Sequence, residues 1–176
     1  MFHRIISGGQ TGVDRAALDF AMARGIPVGG WCPKGRKADD GPISAHYPLQ
    51  ETPKSDYRQR TFWNMRDCDG ALIFHRGELT GGTLLTAQFA RSMKKLHRLI
   101  NLNHNTDLAD LREWLRMHRI RILNVAGPRE RGNRGIHHQT LAFLDALANG
   151  EQVWIPLEGI VADEELPEST VMERPS

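Results

Sequence analysis

Two short glycine-rich segments hold the residues of this sequence that are best suited to bind an anion. The first contains Gly8, Gly9, Gln10, Thr11 and Gly12, and the second contains Gly81, Gly82 and Thr83. Glycine permits positive φ angles and close backbone approach, and the first turn of a helix offers unpaired N–H groups to a phosphate. Each segment therefore predicts either a phosphate-binding turn or a tight turn without a ligand. Neither has the spacing of a dinucleotide fingerprint or a P-loop.

Charged and polar side chains near these segments supply candidate partners for the same ligand. The cations are Arg15, Lys34, Arg36, Arg60 and Arg129, the carboxylates suited to a sugar hydroxyl are Asp14 and Asp39, and Asn64 shares a predicted helix face with Arg60. Three bases (Lys34, Arg36 and Lys37) and two acids (Asp39 and Asp40) crowd into the glycine-bounded segment 30–41, which is either a ligand-closing loop or a solvated run of charge. Arg129 is suited equally to the ligand site and to an interface between subunits.

Metal and thiol chemistry have little support in the sequence. Cys32 and Cys68 have no CxxC spacing, and the eight histidines form no HExxH motif. We therefore expect no structural metal and no disulfide framework.

Strand-like and helix-like patterns alternate along the chain. The predicted strands cover about 3–7, 27–30, 71–74, 97–102 and 120–125, and the predicted helices cover about 13–24, 57–67, 83–95, a stretch from Thr106 onward, and 136–148. A long loop is predicted at 31–56 and a final strand at 153–155. This alternation predicts an α/β fold, Rossmann-like and doubly wound, with a mainly parallel sheet and helices on both faces. Ligands of such sheets bind at the carboxyl ends of the strands, where both glycine segments fall.

The charge distribution divides the chain into two parts. We expect a single Rossmann-like ligand-binding domain over residues 1–156 and an acidic C-terminal tail over 157–176, in which six acids face one base. Removing the tail leaves a net charge of +7, which suits an anionic ligand. The bases are scattered rather than clustered, which argues against nucleic acid as a partner. With no membrane-spanning or signal-like segment visible, a cytoplasmic protein without membrane contact is expected.

Five segments give the sequence a family resemblance. They are Ser7–Asp19, Gly30–Gly41, Tyr47–Thr52, Arg60–Gly70 and Asn124–Glu130. Together they resemble the proteins classed as putative molybdenum carriers, over about residues 4–148. That family is similar to a larger Rossmann-like superfamily that includes the lysine-decarboxylase-like phosphoribohydrolases and the DNA-processing protein A type. The resemblance implies a parallel sheet, a ligand pocket at the two glycine turns, and a homodimer or homotetramer.

One departure from the phosphoribohydrolases separates two functions. Those enzymes carry a catalytic glutamate three residues after the threonine of their glycine motif, whereas Thr86 stands there in this chain. This favours a protein that binds a phosphorylated small molecule, either a nucleotide or the pterin phosphate of the molybdenum cofactor, as a carrier or a sensor. The alternative is a nucleoside-monophosphate phosphoribohydrolase-type N-glycosidase, for which Asp14 and Glu78 are the candidate catalytic carboxylates.

Overall fold

A computed structural model describes residues 3–150 as three layers, with a parallel sheet between two layers of helices. The strands of this sheet are β1 (Arg4–Ile6), β2 (Val28–Gly29), β7 (Gly70–His75), β8 (Leu96–Asn101) and β9 (Ile122–Ala126). The helices are α1 (Val13–Ala23), α2 (Tyr57–Arg66), α3 (Gly81–Ser92), α4 (Leu108–Met117) and α5 (Ile136–Asn149). These elements confirm the predicted α/β class.

The burial of the strands follows from the helices on both faces. A strand that is covered on both sides needs apolar residues at successive positions, and residues 70–74 of β7 are all buried. Leu72 packs with α1, α4 and α5 in one core, whereas Ile73 packs with α2 and α3 in a second core. Alternate residues of one strand therefore serve the two faces, as a doubly wound sheet requires.

The strand order places the last strand of the chain at the centre of the sheet. The order is β2-β1-β9-β7-β8, and every neighbouring pair is parallel. Counted with β9 as the first strand, this order becomes third, second, first, fourth, fifth, which is the order of the first five strands of a six-stranded Rossmann sheet. Each strand therefore has the same neighbours as in a Rossmann sheet, but the chain begins at a different strand of that sheet.

The segment predicted as a loop over 31–56 contains two small ladders. Strand β3 (Trp31–Cys32) pairs in parallel with β6 (Gln50–Glu51), and β4 (Lys37–Ala38) pairs antiparallel with β5 (Gly41–Pro42). Strands of two residues are too short to show an alternating pattern, so the sequence gives no sign of them. They fold this segment against the sheet, beside the start of α1.

Two predicted features lie outside the described residues: the strand at 153–155 and the acidic tail. Within residues 3–150, no helix has both the length and the apolar character to span a bilayer.

Candidate anion-binding cleft

A cleft of about 260 Å³ opens at the carboxyl ends of the central strands. The chain leaves β7 toward α3 on one face of the sheet and leaves β9 toward α5 on the other face. Neighbouring strands whose connections diverge in this way create a crevice, and such crevices hold the ligands of open α/β sheets. Four segments form its walls: the turn after β1, the α2 helix, the β7–α3 turn, and the turn after β9.

The amino end of α3 faces this cleft without a protein partner. A Cβ atom built on Gly81 or Gly82 would meet no heavy atom within 4 Å, so the space in front of both residues is open. Thr80, at the N-cap, makes no side-chain capping hydrogen bond, and the first backbone bond of the helix runs from Leu84 N–H to the Thr80 carbonyl. No described residue accepts a hydrogen bond from the N–H groups of residues 81–83. These N–H groups therefore point to open space, and anion binding by the second glycine segment stays a prediction.

A buried ion pair forms the wall opposite α3. Arg60 Nη1 lies 3.1 Å from Asp14 Oδ2, and the two side chains are 13% and 2% exposed. Burial raises the pKa of Asp14 above its usual value, and the Arg60 guanidinium is the largest of the influences that oppose this rise. Within the described residues, Asp14 Oδ2 and Arg60 Nε have no aligned hydrogen-bond partner. Arg60 therefore neutralises Asp14, and its buried Nε has no acceptor among the described residues.

The rim of the cleft is held by a polar network that joins the 31–56 segment to the turn after β9. Arg129 Nη1 lies 2.7 Å from Asp39 Oδ1, and Gln10 Nε2 donates to the same oxygen at 3.2 Å. The Tyr57 ring is flanked by the cations of Lys37, Arg60 and Arg129, each 5.5–5.8 Å from its centroid. Positive charge therefore dominates this side of the opening.

The first glycine segment lies beside the cleft but is filled by protein. A Cβ on Gly8 would overlap the Arg60 guanidinium, and one on Gly9 would meet Leu49 and Ile43 side chains. A Cβ on Gly12 would meet the backbone of 128–130, and Val13 N–H donates to the Pro128 carbonyl. Gly9 and Gly12 have φ angles of 74° and 83°, as predicted for turn glycines. Ligand binding by this segment stays a prediction, and its visible role is to let these neighbours approach.

The structure divides the predicted site residues into two groups. Those that line the cleft are Gln10, Asp14, Arg60, Glu78, Gly81, Gly82, Thr83 and Arg129, with Asp39 bonded to two of them on the rim. Those that do not line it are Gly8, Gly9, Thr11, Gly12, Arg15, Lys34, Arg36 and Asn64. Arg15 bonds to the Gly9 carbonyl and Asp40, Asn64 holds the Trp31 backbone, and Lys34 is exposed.

Arg36 has a local role that its charge did not reveal. Its guanidinium donates to the backbone carbonyls of four residues of its own segment at 2.7–3.1 Å: Ile43, Ser44, Tyr47 and Leu49. The residue itself has a positive φ of 53°. These bonds use four of the five N–H donors of the guanidinium to hold the 31–56 segment together.

Some lining residues were absent from the sequence prediction. Arg76 follows β7 directly and lines the cleft, where it donates to Gln139 and to the Arg134 carbonyl, and burial lowers its pKa. His75, at the end of the same strand, and Asn133 also line the cleft. The position of Arg76 and His75 at the end of a predicted strand could have identified them, because residues at the carboxyl end of a strand face the ligand-binding edge of the sheet whatever motif they belong to.

Alanine at Gly8 and alanine at Gly82 are expected to have opposite effects on stability. Gly8→Ala drives a methyl group into the Arg60–Asp14 pair and should lower the free energy of unfolding by about 2 kcal/mol. Gly82→Ala enters open space in a helix and should be neutral or stabilising by up to about 1 kcal/mol. Urea unfolding of both variants measures the difference, and equal effects would contradict the packing described at Gly8.

Replacing Arg36 with methionine is expected to loosen the 31–56 segment. The variant removes donors from four carbonyls and should lower the free energy of unfolding by about 2 kcal/mol. Limited proteolysis should show faster cleavage within 31–56. Lys34→Met is the matched control, because its exposed side chain should make little difference. Equal protease resistance in both variants would rule out this role for Arg36.

Comparison with known proteins agrees with the fold and the family resemblance. Residues 5–148 match the model of the circularly permutated YpsA SLOG family. A crystal structure of a putative molybdenum carrier protein from Syntrophus aciditrophicus SB is 45% identical in sequence, with a TM-score of 0.79, and the match covers 83% of this chain and 94% of that one. No curated protein matches the chain. The family match includes every segment that lines the cleft.

Proposed function

Because this chain belongs to the circularly permutated YpsA SLOG family, we propose that it is a binding protein whose cleft holds a phosphorylated small molecule. The observation that carries the proposal is the open amino end of α3, where Gly81 and Gly82 leave room for an anion and the helix N–H groups lack partners. The positive end of the helix dipole adds to this attraction.

The side chains around this position supply the remaining recognition. Arg60 lines the cleft with 13% of its side chain exposed, and Arg129 lies across the opening with about half of its side chain exposed. Although each guanidinium is already paired with a carboxylate, both would attract a phosphate at α3 from opposite sides. Tyr57 offers a ring face and a hydroxyl to the rest of the ligand.

The proposed ligands are a nucleotide and the pterin phosphate of the molybdenum cofactor, which share a phosphate monoester. The structurally similar protein has the name of a molybdenum carrier, and a carrier or sensor role is the one we propose here. Residues 3–150 contain no group of three or more metal-binding side chains. The residues present fit the phosphate shared by the two ligands, with Gly81–Thr83 and Arg60 as its holders.

Native mass spectrometry of the purified full-length chain tests this proposal. We expect a bound mass that, after denaturation, is identified as a nucleotide or a pterin phosphate. The same spectrum gives the mass of the assembly, for which we propose a homodimer or homotetramer. A ligand-free spectrum, together with no heat of binding for AMP or pyrophosphate at millimolar concentration, would overturn the proposal.

A second candidate function is N-glycosidase activity on nucleoside monophosphates. The observation in its favour is that two carboxylates, Asp14 and Glu78, line the same cleft as the α3 turn. Asp14 is held against Arg60, so Glu78 is the better placed to assist bond cleavage. We expect no release of base from AMP, GMP, CMP or UMP by chromatography. Release that is lost in Glu78→Gln would replace the binding proposal with the enzymatic one.

A further inference from the structure

Arg76 is a cation of the cleft that the proposed phosphate position does not use. It follows β7 directly, lines the cleft and is partly buried. The other two arginines that line the cleft are each paired with a carboxylate, Arg60 with Asp14 and Arg129 with Asp39. In the described part of the chain, no carboxylate lies within ion-pair distance of Arg76. Its positive charge is therefore available to an anion in the cleft.

Hydrogen bonds hold the Arg76 guanidinium in one orientation. Its Nε and Nη2 atoms donate to Gln139 Oε1 at 2.9 and 2.6 Å, and its Nη1 atom donates to the Arg134 carbonyl at 3.0 Å. Gln139 is fixed in turn, because its Nε2 atom donates to the Leu102 carbonyl at 2.7 Å. These bonds use three of the five N–H donors of the guanidinium, and the other two have no acceptor among the described residues. A group that is fixed in advance loses less entropy when it binds a ligand.

The amino end of α5, which lies on the same side as Arg76, already holds a carboxylate of the protein. Glu130 accepts hydrogen bonds from the N–H groups of Gly135 and His137 through its two side-chain oxygens. Glu130 also acts on Arg76 from a distance, where it opposes the lowering of the Arg76 pKa by burial. The amino end of α5 therefore differs from that of α3, which is open. On this side of the cleft, an anion has Arg76 as its charged partner, and Asn133 adds a side-chain amide.

Arg76 and the open end of α3 belong to opposite walls of the cleft. Helix α3 packs on the face of the sheet that also carries α2. The partners of Arg76 lie on the other face, since Gln139 is part of α5 and Leu102 packs in the core with α1, α4 and α5. The cleft of about 260 Å³ greatly exceeds the roughly 10–15 Å³ needed by one water. Of the two carboxylates that line it, Asp14 is already paired and Glu78 is exposed, where water screens its repulsion.

We propose that Arg76 binds a second anionic group of the ligand, so that the cleft selects small molecules with two anionic groups over those with one. This inference rests on the proposed function, because it takes the first group to be the phosphate at the amino end of α3. The remaining donors of Arg76, on Nη1 and Nη2, suit the oxygens of a phosphate or a carboxylate. A nucleoside diphosphate or bisphosphate has two such groups, whereas a nucleoside monophosphate has one.

Titration calorimetry of the full-length chain with three adenine nucleotides tests the second position. The probes are AMP, ADP with its two adjacent phosphates, and adenosine 3′,5′-bisphosphate, in which the two phosphates are separated by the ribose. We expect at least one of the doubly phosphorylated probes to bind about tenfold more tightly than AMP, the usual contribution of a hydrogen bond to a charged group. Equal affinity for all three would overturn this inference and leave the proposed function intact. Absence of binding by all three would overturn both.

Replacing Arg76 with glutamine should abolish the preference for the second phosphate. We expect the affinity for AMP to change by less than about threefold, because solvent and salt screen the lost charge at the first phosphate. The affinity for the preferred probe should fall to that of AMP. Arg131→Gln is the matched control, since Arg131 is exposed and does not line the cleft, and it should keep the preference. An equal loss for both ligands in Arg76→Gln would assign Arg76 to the fold or to the first phosphate and overturn the inference.

A measurement on the wild-type chain applies even if Arg76→Gln does not fold. The Nε–H group of Arg76 is protected from exchange by its bond to Gln139, so its nitrogen–proton NMR signal should be observable, and Arg76→Lys identifies it. We expect this signal to shift when the preferred doubly phosphorylated probe binds and to shift much less with AMP. No shift with that probe, or an equal shift with AMP, would overturn the inference.

Discussion

Replacing Arg60 with methionine is expected to lower the free energy of unfolding by about 3–5 kcal/mol at pH 7. The Asp14 carboxylate is 98% buried and has Arg60 as its ion-pair partner, so the variant leaves a buried charge without its counter-charge. Methionine has a similar length and keeps most of the packing of the arginine stem. The loss should therefore be mainly electrostatic, and urea unfolding measures it.

The pH dependence of this variant identifies the cause. Burial already raises the pKa of Asp14 in the folded protein, and the loss of Arg60 should raise it further. The folded state then binds a proton more tightly than the unfolded state does. The stability that this proton contributes is fully present below the pKa of Asp14 in the unfolded chain, near 4. It is lost as the pH rises through the pKa of Asp14 in the folded protein, by about 1.4 kcal/mol per pH unit. We therefore expect Arg60→Met to regain stability between pH 7 and pH 5.

Two comparisons make the result specific to the ion pair. Arg58→Met, on the same helix but exposed, should change the stability by less than about 0.5 kcal/mol and add no pH dependence. Asp14→Asn combined with Arg60→Met removes both charges and should abolish the extra pH dependence. A loss in Arg60→Met that is constant from pH 5 to pH 7 would show that Asp14 is not the titrating group.

Gly82→Asp is expected to weaken AMP binding about 100-fold while leaving the fold intact. The side chain enters open space at the first turn of α3, where a carboxylate interacts favourably with the helix dipole. That carboxylate would occupy and repel the proposed phosphate position. Losing a charge-assisted hydrogen bond and adding this repulsion is worth about 3 kcal/mol, or about 100-fold in affinity.

The matched control is Gly82→Asn, which has nearly the same shape without the charge. It should weaken binding by less than about tenfold, and neither variant should lower the melting temperature appreciably. Titration calorimetry with AMP, followed by thermal unfolding without ligand, separates the two effects. Equal affinity in wild type and Gly82→Asp would remove the α3 turn from the binding site.

The regular elements of this fold were predictable because their sequences are periodic. Leu108, Leu111 and Leu115 predict one buried face of α4, and all three are buried. The continuous apolar run around Ile73 predicts a strand covered on both faces, as β7 is. The order of the strands was not predictable, because apolar runs do not specify which strand lies beside which. The central position of β9 comes from pairings with β1 and β7, distant in sequence.

The candidate site was predictable only in part, because a glycine reveals its lack of a side chain but not what uses the space. At Gly8 the space is taken by Arg60, and at Gly12 by the backbone near Arg129. At Gly81 and Gly82 it is open. The two segments have similar compositions, so only the positions of these distant residues tell them apart. The role of Arg36 was not predictable for the same reason, because its partners are backbone carbonyls and the sequence does not show which ones lie beside it.

The central position of β9 has a consequence for how the protein forms during synthesis. When the ribosome has made β1, β2, β7 and β8, the nascent chain contains two strand pairs whose inner edges, β1 and β7, have no partner. The strand that joins them is made next, and the turn that completes the cleft follows it. The strand pairs β1–β2 and β7–β8 can join into one sheet only then, because pairings so distant in sequence form late. Until that moment the growing chain has neither a continuous sheet nor a complete cleft, and the unpaired edges of β1 and β7 are the places at which we expect it to aggregate.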